Sequence, residues 1–398
     1  MGLSGLEHSL IERAQAAPML GWVEAWAAVN SGTRNLAGLG AMAGLLADAF
    51  AALPGALSLV PPAPVETVLA DGGVLALDHG AHLLLTVRPE APVQLLFTGH
   101  MDTVYPADHP FQALTWLESG VLNGPGVADM KGGLALLLAA LLAIEGVPGA
   151  DRIGYQVMIN SDEETGSLSS SALIEQVARG KRAALTYEPA LPDGTLAGAR
   201  GGTGNFSLVV RGRSAHAGRN PEEGRNAIVA AADLALRLAA GKGDGLSVNP
   251  ARIEGGGPNN VVPEFALLRV NFRPKDAGAI ARAEALLADA VATVAAAHEV
   301  RIERHGAFNR PPKPIDAGAA ALFDTVKRAG GDLGLAIAWR DTGGVCDGNN
   351  IAACGVPVVD TMGARGGAIH SSDEFLIVES LAERAALSAL TIARLGDL

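Results

Sequence analysis

Apolar residues recur along this chain with two spacings, and the change from one to the other divides it into elements. The first fifty residues carry apolar positions at helical intervals, interrupted at Val29-Asn30-Ser31-Gly32. Strand-like runs follow at 74–78, 82–87 and 93–98. An Ala/Leu helix is expected over 133–144, introduced by the loop 123–129. A buried strand is expected over 153–160 and a shorter one over 183–186. Strands alternating with long helices predict an α/β layer built on a mixed, mostly parallel sheet flanked by helices.

The pattern changes near residue 200. Gly201-Gly202-Thr203-Gly204 reads as flexible punctuation, after which 205–211 alternates like a half-exposed strand. A helix over 226–239, strands near 249–254 and 266–272, and a helix over 277–297 complete a split α+β order. Pro311-Pro312-Lys313-Pro314 then forms a stiff connector that reads as a hinge. The expected organisation is a discontinuous α/β domain, 1–199 and 312–398, interrupted by an α+β ferredoxin-like domain at 200–311.

Composition narrows the function classes. The 398 residues suffice for two domains, and with only 4% aromatic content the core must be built from Ala, Leu and Val. A formal charge of −12 argues against a nucleic-acid partner. The longest apolar run, 133–144, falls short of the roughly 20 residues needed to span a bilayer. The N-terminus shows no basic segment leading into an apolar one, so no membrane partner and a cytoplasmic protein are expected. Two cysteines, Cys346 and Cys354, are too few for a disulfide framework and read as small buried thiols.

Five segments place acids and imidazoles after strand-like runs, where open α/β sheets carry their sites. Gly99-His100-Met101-Asp102 ends the 93–98 run, and a His and Asp two apart on extended chain share a face. Such a pair suits an imidazole ligand oriented by a carboxylate, although His-x-Asp alone is more often incidental. Asp129 closes a Gly-rich loop, where it can bridge two cations or simply cap the following helix. Ser161-Asp162-Glu163-Glu164 follows a buried strand. Adjacent acids there repel unless a cation or proton compensates, and a solvated acidic turn is the plainer alternative. Glu188 in Thr186-Tyr187-Glu188-Pro189 and His370 after Ala364-Arg365-Gly366-Gly367 complete the set. Oxygen donors mixed with imidazole suit zinc, with cobalt or manganese as substitutes.

These ordered motifs resemble the zinc metallopeptidase family that contains glutamate carboxypeptidase, aminoacylase, acetylornithine deacetylase and succinyl-diaminopimelate desuccinylase. The resemblance runs over nearly the whole chain. It implies two zinc ions per subunit: His100 and Glu188 on one, Glu164 and His370 on the other, and Asp129 bridging, with a cis peptide after Asp129. It implies that Asp102 orients His100. Glu163 would be the general base for a water shared by the two ions, later returning the proton to the leaving amine. Ser214-Ala215-His216-Ala217-Gly218 resembles the family's lid segment, whose His stabilises the oxyanion in the partner subunit's site, so a homodimer is expected. Asn260, in Asn259-Asn260-Val261-Val262-Pro263, and Arg273, in Asn271-Phe272-Arg273, match substrate contacts, the arginine for an α-carboxylate.

Glu188, where aminopeptidases of the family carry Asp, points to the carboxypeptidase and acylase branch. Arg340-Asp341-Thr342-Gly343-Gly344 is similar to a segment of the glutamate carboxypeptidases. Where those enzymes carry an Arg-Pro, this chain has His305-Gly306. The implied activity is cleavage of an amide bond next to a free carboxylate, releasing a C-terminal amino acid. The alternative is removal of an acetyl or succinyl group from an N-acyl amino acid.

Overall fold

The computed structural model describes residues 2–398. A six-stranded sheet has the strand order Ala56–Val60, His82–Val87, Ile153–Asn160, Val93–His100, Ala183–Thr186, Val358–Val359. The last four strands run parallel, and the first two join antiparallel at one edge. Period-two alternation sends Leu95 and Phe97 to one face and Leu96 to the other. The first face packs on Gly133–Glu145, Glu379–Leu395 and the N-terminal helices, and the second on Ser171–Ala178 and Asp347–Ala353.

Both faces being covered explains why the central strands read as continuous apolar runs. The stretch from Val127 to Glu145 is long and apolar enough to cross a membrane, yet 94% of it lies buried inside the protein. Each of its buried leucines contributes about 2 kcal/mol relative to exposure.

A second unit contains Thr203–Arg211, Ala227–Ala240, Leu246–Gly255, Phe265–Pro274, Ala277–His298 and Arg301–Arg310. Its four strands form one antiparallel sheet with the Thr203–Arg211 and Phe265–Pro274 strands at the centre. Phe206, Leu208, Leu268 and Phe272 pack under the two helices in a core drawn only from this stretch. The opposite face of the sheet looks toward the larger unit. There the hairpin formed by Glu66–Val68 and Val74–Ala76 sets Val68 against Val209 and Leu267. Gly201 to Gly204 is less loose than its composition suggests. Gly204 lies inside a strand, and the Phe308 ring occupies the place where its side chain would be.

The chain crosses between the units twice, and the crossings are laced together. Arg200 and Lys313 exchange two backbone hydrogen bonds of 2.9 Å each. Both side chains converge on Asp360, which follows the strand Val358–Val359: Arg200 Nε donates at 2.7 Å, and Lys313 Nζ lies 3.2 Å away as an ion pair. Asn349 Nδ2 donates to Gly201 O at 2.9 Å and Pro311 O at 2.7 Å, gripping both crossings from one side chain.

Candidate metal centre

The C-terminal ends of the parallel strands deliver the acids and imidazoles to one place. His100 is the last residue of its strand, and Glu188 follows the neighbouring one, Ala183–Thr186. Their donors, Nε2 and Oε2, lie 3.7 Å apart. Asp129 departs from helical backbone angles just before the long buried helix, and the Asp129–Met130 peptide is cis. Its Oδ1 lies 3.1 Å from His100 Nε2 and its Oδ2 3.4 Å from His370 Nε2. Glu164 Oε2 lies 3.2 Å from His370 Nε2. One carboxylate thus faces two imidazoles, and each imidazole has a further glutamate at hand. Glu163 joins His100 and Glu188 in a group of donor atoms all within 4.8 Å of one another, as do Asp129 and Glu164 with His100.

Charge in this cluster is poorly compensated by protein alone. Burial, reinforced by Asp129, pushes the Glu164 carboxyl up to about 8. Burial does the same to Glu188, also to about 8, against the pull of His100. Burial would raise Asp129 too, but His100 and His370 hold it well below the usual carboxylate range. Hydrogen bonds to Asp129 and Glu164 lift His370 to about 10. Burial opposes charge on His100, yet Glu188, Asp102 and Asp129 together raise it above an ordinary imidazole. Glu188 Oε1 is buried with no hydrogen-bond partner. Divalent cations would satisfy that orphan oxygen and relieve the repulsion among the acids, and the mixed carboxylate and imidazole donors fit zinc.

Asp102 does more than face the His100 ring. Its Oδ1 lies 3.5 Å from His100 Nδ1, while the closer contact of that nitrogen, 3.0 Å, is with the Asp102 carbonyl. The carboxylate also accepts from the backbone N–H groups of Glu163 at 3.1 Å and Glu164 at 3.2 Å, and from the Thr33 hydroxyl at 2.7 Å. It therefore fixes the acidic turn and the imidazole together.

Two further groups were missed in the sequence pattern. Glu374 is buried and accepts from the N–H groups of Gly126, Ala128 and Asp129 at 3.0–3.1 Å and from Tyr105 Oη at 2.9 Å. It thereby sets the loop that presents Asp129. Arg310 lies 2.5 Å from Glu163 Oε1. An acid four residues beyond His370 was a visible clue to Glu374; nothing local marks Arg310.

Beside the cluster, a cavity of about 410 Å³ is lined by Glu163, Glu164, His370, Asn205, Asn309 and Arg273, among others. Arg273 has its Nε donating to Asn271 Oδ1 at 2.9 Å. His216 and Asn260 do not line this cavity. They meet each other instead on the smaller unit, where His216 bridges Val261 and Ala217 N donates to Asn260 O at 2.9 Å, both side chains being exposed. Within one chain they stand apart from the acids.

The sequence profile of peptidase family M20/M25/M40 matches residues 96–394. Carboxypeptidase G2 of Pseudomonas sp. (strain RS-16) is 30% identical over 328 residues, 80% of this chain and 77% of the relative. A succinyl-diaminopimelate desuccinylase of Shewanella loihica is 31% identical over 281 residues, 62% of this chain and 72% of the relative. Among solved structures, a tripeptidase from Staphylococcus aureus superposes with a TM-score of 0.74 at 22% identity, over 98% of this chain and 99% of that one. An M20 family metallo-carboxypeptidase from Sulfolobus solfataricus gives 0.70 at 15% identity, over 96% and 100%. At such identities these structures speak for the fold alone.

Proposed function

This chain belongs to peptidase family M20/M25/M40 and is a metal-dependent hydrolase of C–N bonds, and from that premise we propose that it cleaves an amide bond next to a free carboxylate, releasing a C-terminal amino acid. The observation that carries the reading is the position of Asp129, one oxygen toward His100 and the other toward His370. That arrangement supports two ions per subunit, one held by His100 and Glu188, the other by Glu164 and His370, with Asp129 shared. Held there, divalent cations would supply polarisation of the amide carbonyl and a water acidic enough to be a nucleophile near neutral pH.

The chain's own residues do the rest. Glu163 takes the proton of the attacking water and hands it to the departing nitrogen. Asp102 holds the Glu163–Glu164 turn and His100 in register. Arg273 lines the cavity and engages only Nε with Asn271, so its terminal nitrogens are left for a carboxylate on the substrate.

The family relatives support deacylation of N-succinyl or N-acetyl amino acids equally well, since acyl and peptidyl groups would lie on the same side of the centre. His305 and Gly306 bear on the choice. His305 Nε2 is buried without a partner, and Gly306 has φ +112 with the Asn205 carbonyl lying where a side chain would be. The position that carries Arg-Pro in the glutamate carboxypeptidases thus differs here in side chain and backbone, and the substrate panel below sets glutamate against other C-terminal residues.

A homodimer belongs to the same reading, because His216 and Asn260 need a neighbouring cavity to act on. Supporting it, the Ala227–Ala240 helix exposes Val229 and Leu236, the latter at 73%, and the sheet-edge strand Leu246–Gly255 exposes Ile253. Both cysteines are free, in keeping with a reducing cytoplasmic setting.

The test is a panel of pteroyl-glutamate, dipeptide and N-acyl amino acid substrates with the wild type and Glu163→Ala. The variant is expected to keep its metal and lose about 100- to 10,000-fold in kcat. Wild-type turnover in Glu163→Ala would remove the base; activity that demands a free amine rather than a free carboxylate would remove the substrate class.

A further inference from the structure

Arg310 ends the last strand of the smaller unit and is only 2% exposed. A guanidinium taken out of water persists where anions and acceptors meet it, and its partners state its task. Nη1 lies 2.5 Å from Glu163 Oε1. Nη2 donates to the Glu163 carbonyl at 2.9 Å and to Ser167 Oγ at 2.9 Å. The other available anion, Asp347, stands farther away, with Oδ1 3.5 Å from Nη2. Asp347 is in any case engaged by Ser167 Oγ at 2.5 Å and Asn160 Nδ2 at 2.8 Å. The arginine therefore grips Glu163 twice, at its side chain and at its backbone.

That carboxylate also reaches the donor group of His100 and Glu188. A glutamate side chain normally turns about three bonds, and a planar guanidinium that holds one carboxylate oxygen through Nη1 and the same residue's carbonyl through Nη2 removes most of that freedom. The residue doing so sits next to Pro311, whose carbonyl is held with that of Gly201 by Asn349. The constraint on the acid is thus anchored at the crossing between the two units.

We propose that Arg310 is the positioning residue of Glu163, aiming its carboxylate into the cleft and tying that aim to the junction between the two units. The proposal rests on Glu163 being the base. Arg310 also borders the cavity, but its polar contacts are with Glu163, Ser167 and Asp347, so its effect is assigned to the aim of Glu163.

The experiment is a double-mutant cycle with Arg310→Lys and Glu163→Ala, steady-state kinetics, bound metal and thermal transition being read in all four proteins. Lysine keeps the charge facing Asp347 and loses the fork, which guards against a variant that merely fails to fold. Arg310→Lys is expected to lower kcat by about 100-fold with KM changed by less than about threefold, metal content staying at the wild-type level. In the Glu163→Ala background the same change is expected to alter the residual rate by less than about twofold, because the group being aimed is gone. Equal losses in both backgrounds, or loss of metal from Arg310→Lys, would assign the arginine to general support of the junction and overturn the proposal. Full kcat in both Arg310→Lys and Arg310→Met beside an inactive Glu163→Ala would overturn it while leaving the base in place. Wild-type turnover in Glu163→Ala would instead sink the base assignment and Arg310's role with it.

Discussion

At Glu374 one buried carboxylate accepts from three backbone N–H groups and the Tyr105 hydroxyl, and all three N–H groups belong to the loop that presents Asp129. Replacing it with alanine strands these donors, each left buried at a cost of about 1–3 kcal/mol. Glu374→Ala should therefore lose at least about 3 kcal/mol in urea unfolding. It should also bind less metal by elemental analysis, since Asp129 is no longer held. Full metal content in a destabilised variant would show that Asp129 keeps its place by other means. The contrast with the ligand candidates explains what a sequence makes visible at this scale. His100, Asp129, Glu164, Glu188 and His370 each close a strand-like run or a Gly-rich loop, so their local context announces them. Glu374 and Arg310 work through partners some 245 and 147 residues away, and Asp102 serves three masters at once. Pairings of that reach are created only when the chain closes.

Elements whose two faces are both buried were the easiest to read, because an apolar run is the whole signal: Val93–His100, Ile153–Asn160 and Gly133–Glu145 appear within a residue or two of expectation. The order strand, helix, two strands, helix in the smaller unit was legible from period, whereas the closing strand Arg301–Arg310 was not placed. Short edge elements were not. The pattern at 74–78 gave a strand, but its true role, as half of a hairpin docked on the other unit's sheet, depends on Val68 finding Val209 and Leu267. The connectors were only partly legible for a related reason, since Gly and Pro report local freedom or stiffness of the backbone and not the side-chain clamp that joins the two crossings.

That clamp makes its own prediction. Burial would raise Asp360, but Arg200 and Lys313 outweigh it and hold its carboxyl below the usual range. Its contribution to stability is therefore complete above the ordinary carboxylate pKa of about 4 and fades as pH falls below that toward the lowered value. Asp360→Asn should cost about 3–5 kcal/mol at pH 7, because two buried cations lose their counter-ion. The difference from wild type should narrow below about pH 4. A constant difference from pH 7 to pH 3 would mean that the carboxylate is not what stabilises the crossings.

At the scale of the whole molecule, the acid-lined cavity and the pair His216–Asn260 lie in different places on one chain, so function is expected to need two. Mixing Glu163→Ala with His216→Ala subunits should restore roughly a quarter of wild-type activity, because half of randomly exchanged dimers contain one complete site of two. No recovery after proven subunit exchange would confine His216 to its own chain. Chelation offers a second check: stripping ions that bind only the folded state should lower stability by about 3–4 kcal/mol when they are present at 100 to 1,000 times their dissociation constant. The laced crossings carry one more consequence. Residues that exchange both backbone hydrogen bonds in an antiparallel pair have Cα atoms about 5.5 Å apart, so Arg200 and Lys313 stand close enough for a splice of one or two glycines. The excursion between them draws its apolar interior from itself, which makes it a cassette: it can be cut out, or swapped for a relative's, without re-threading the rest of the polypeptide.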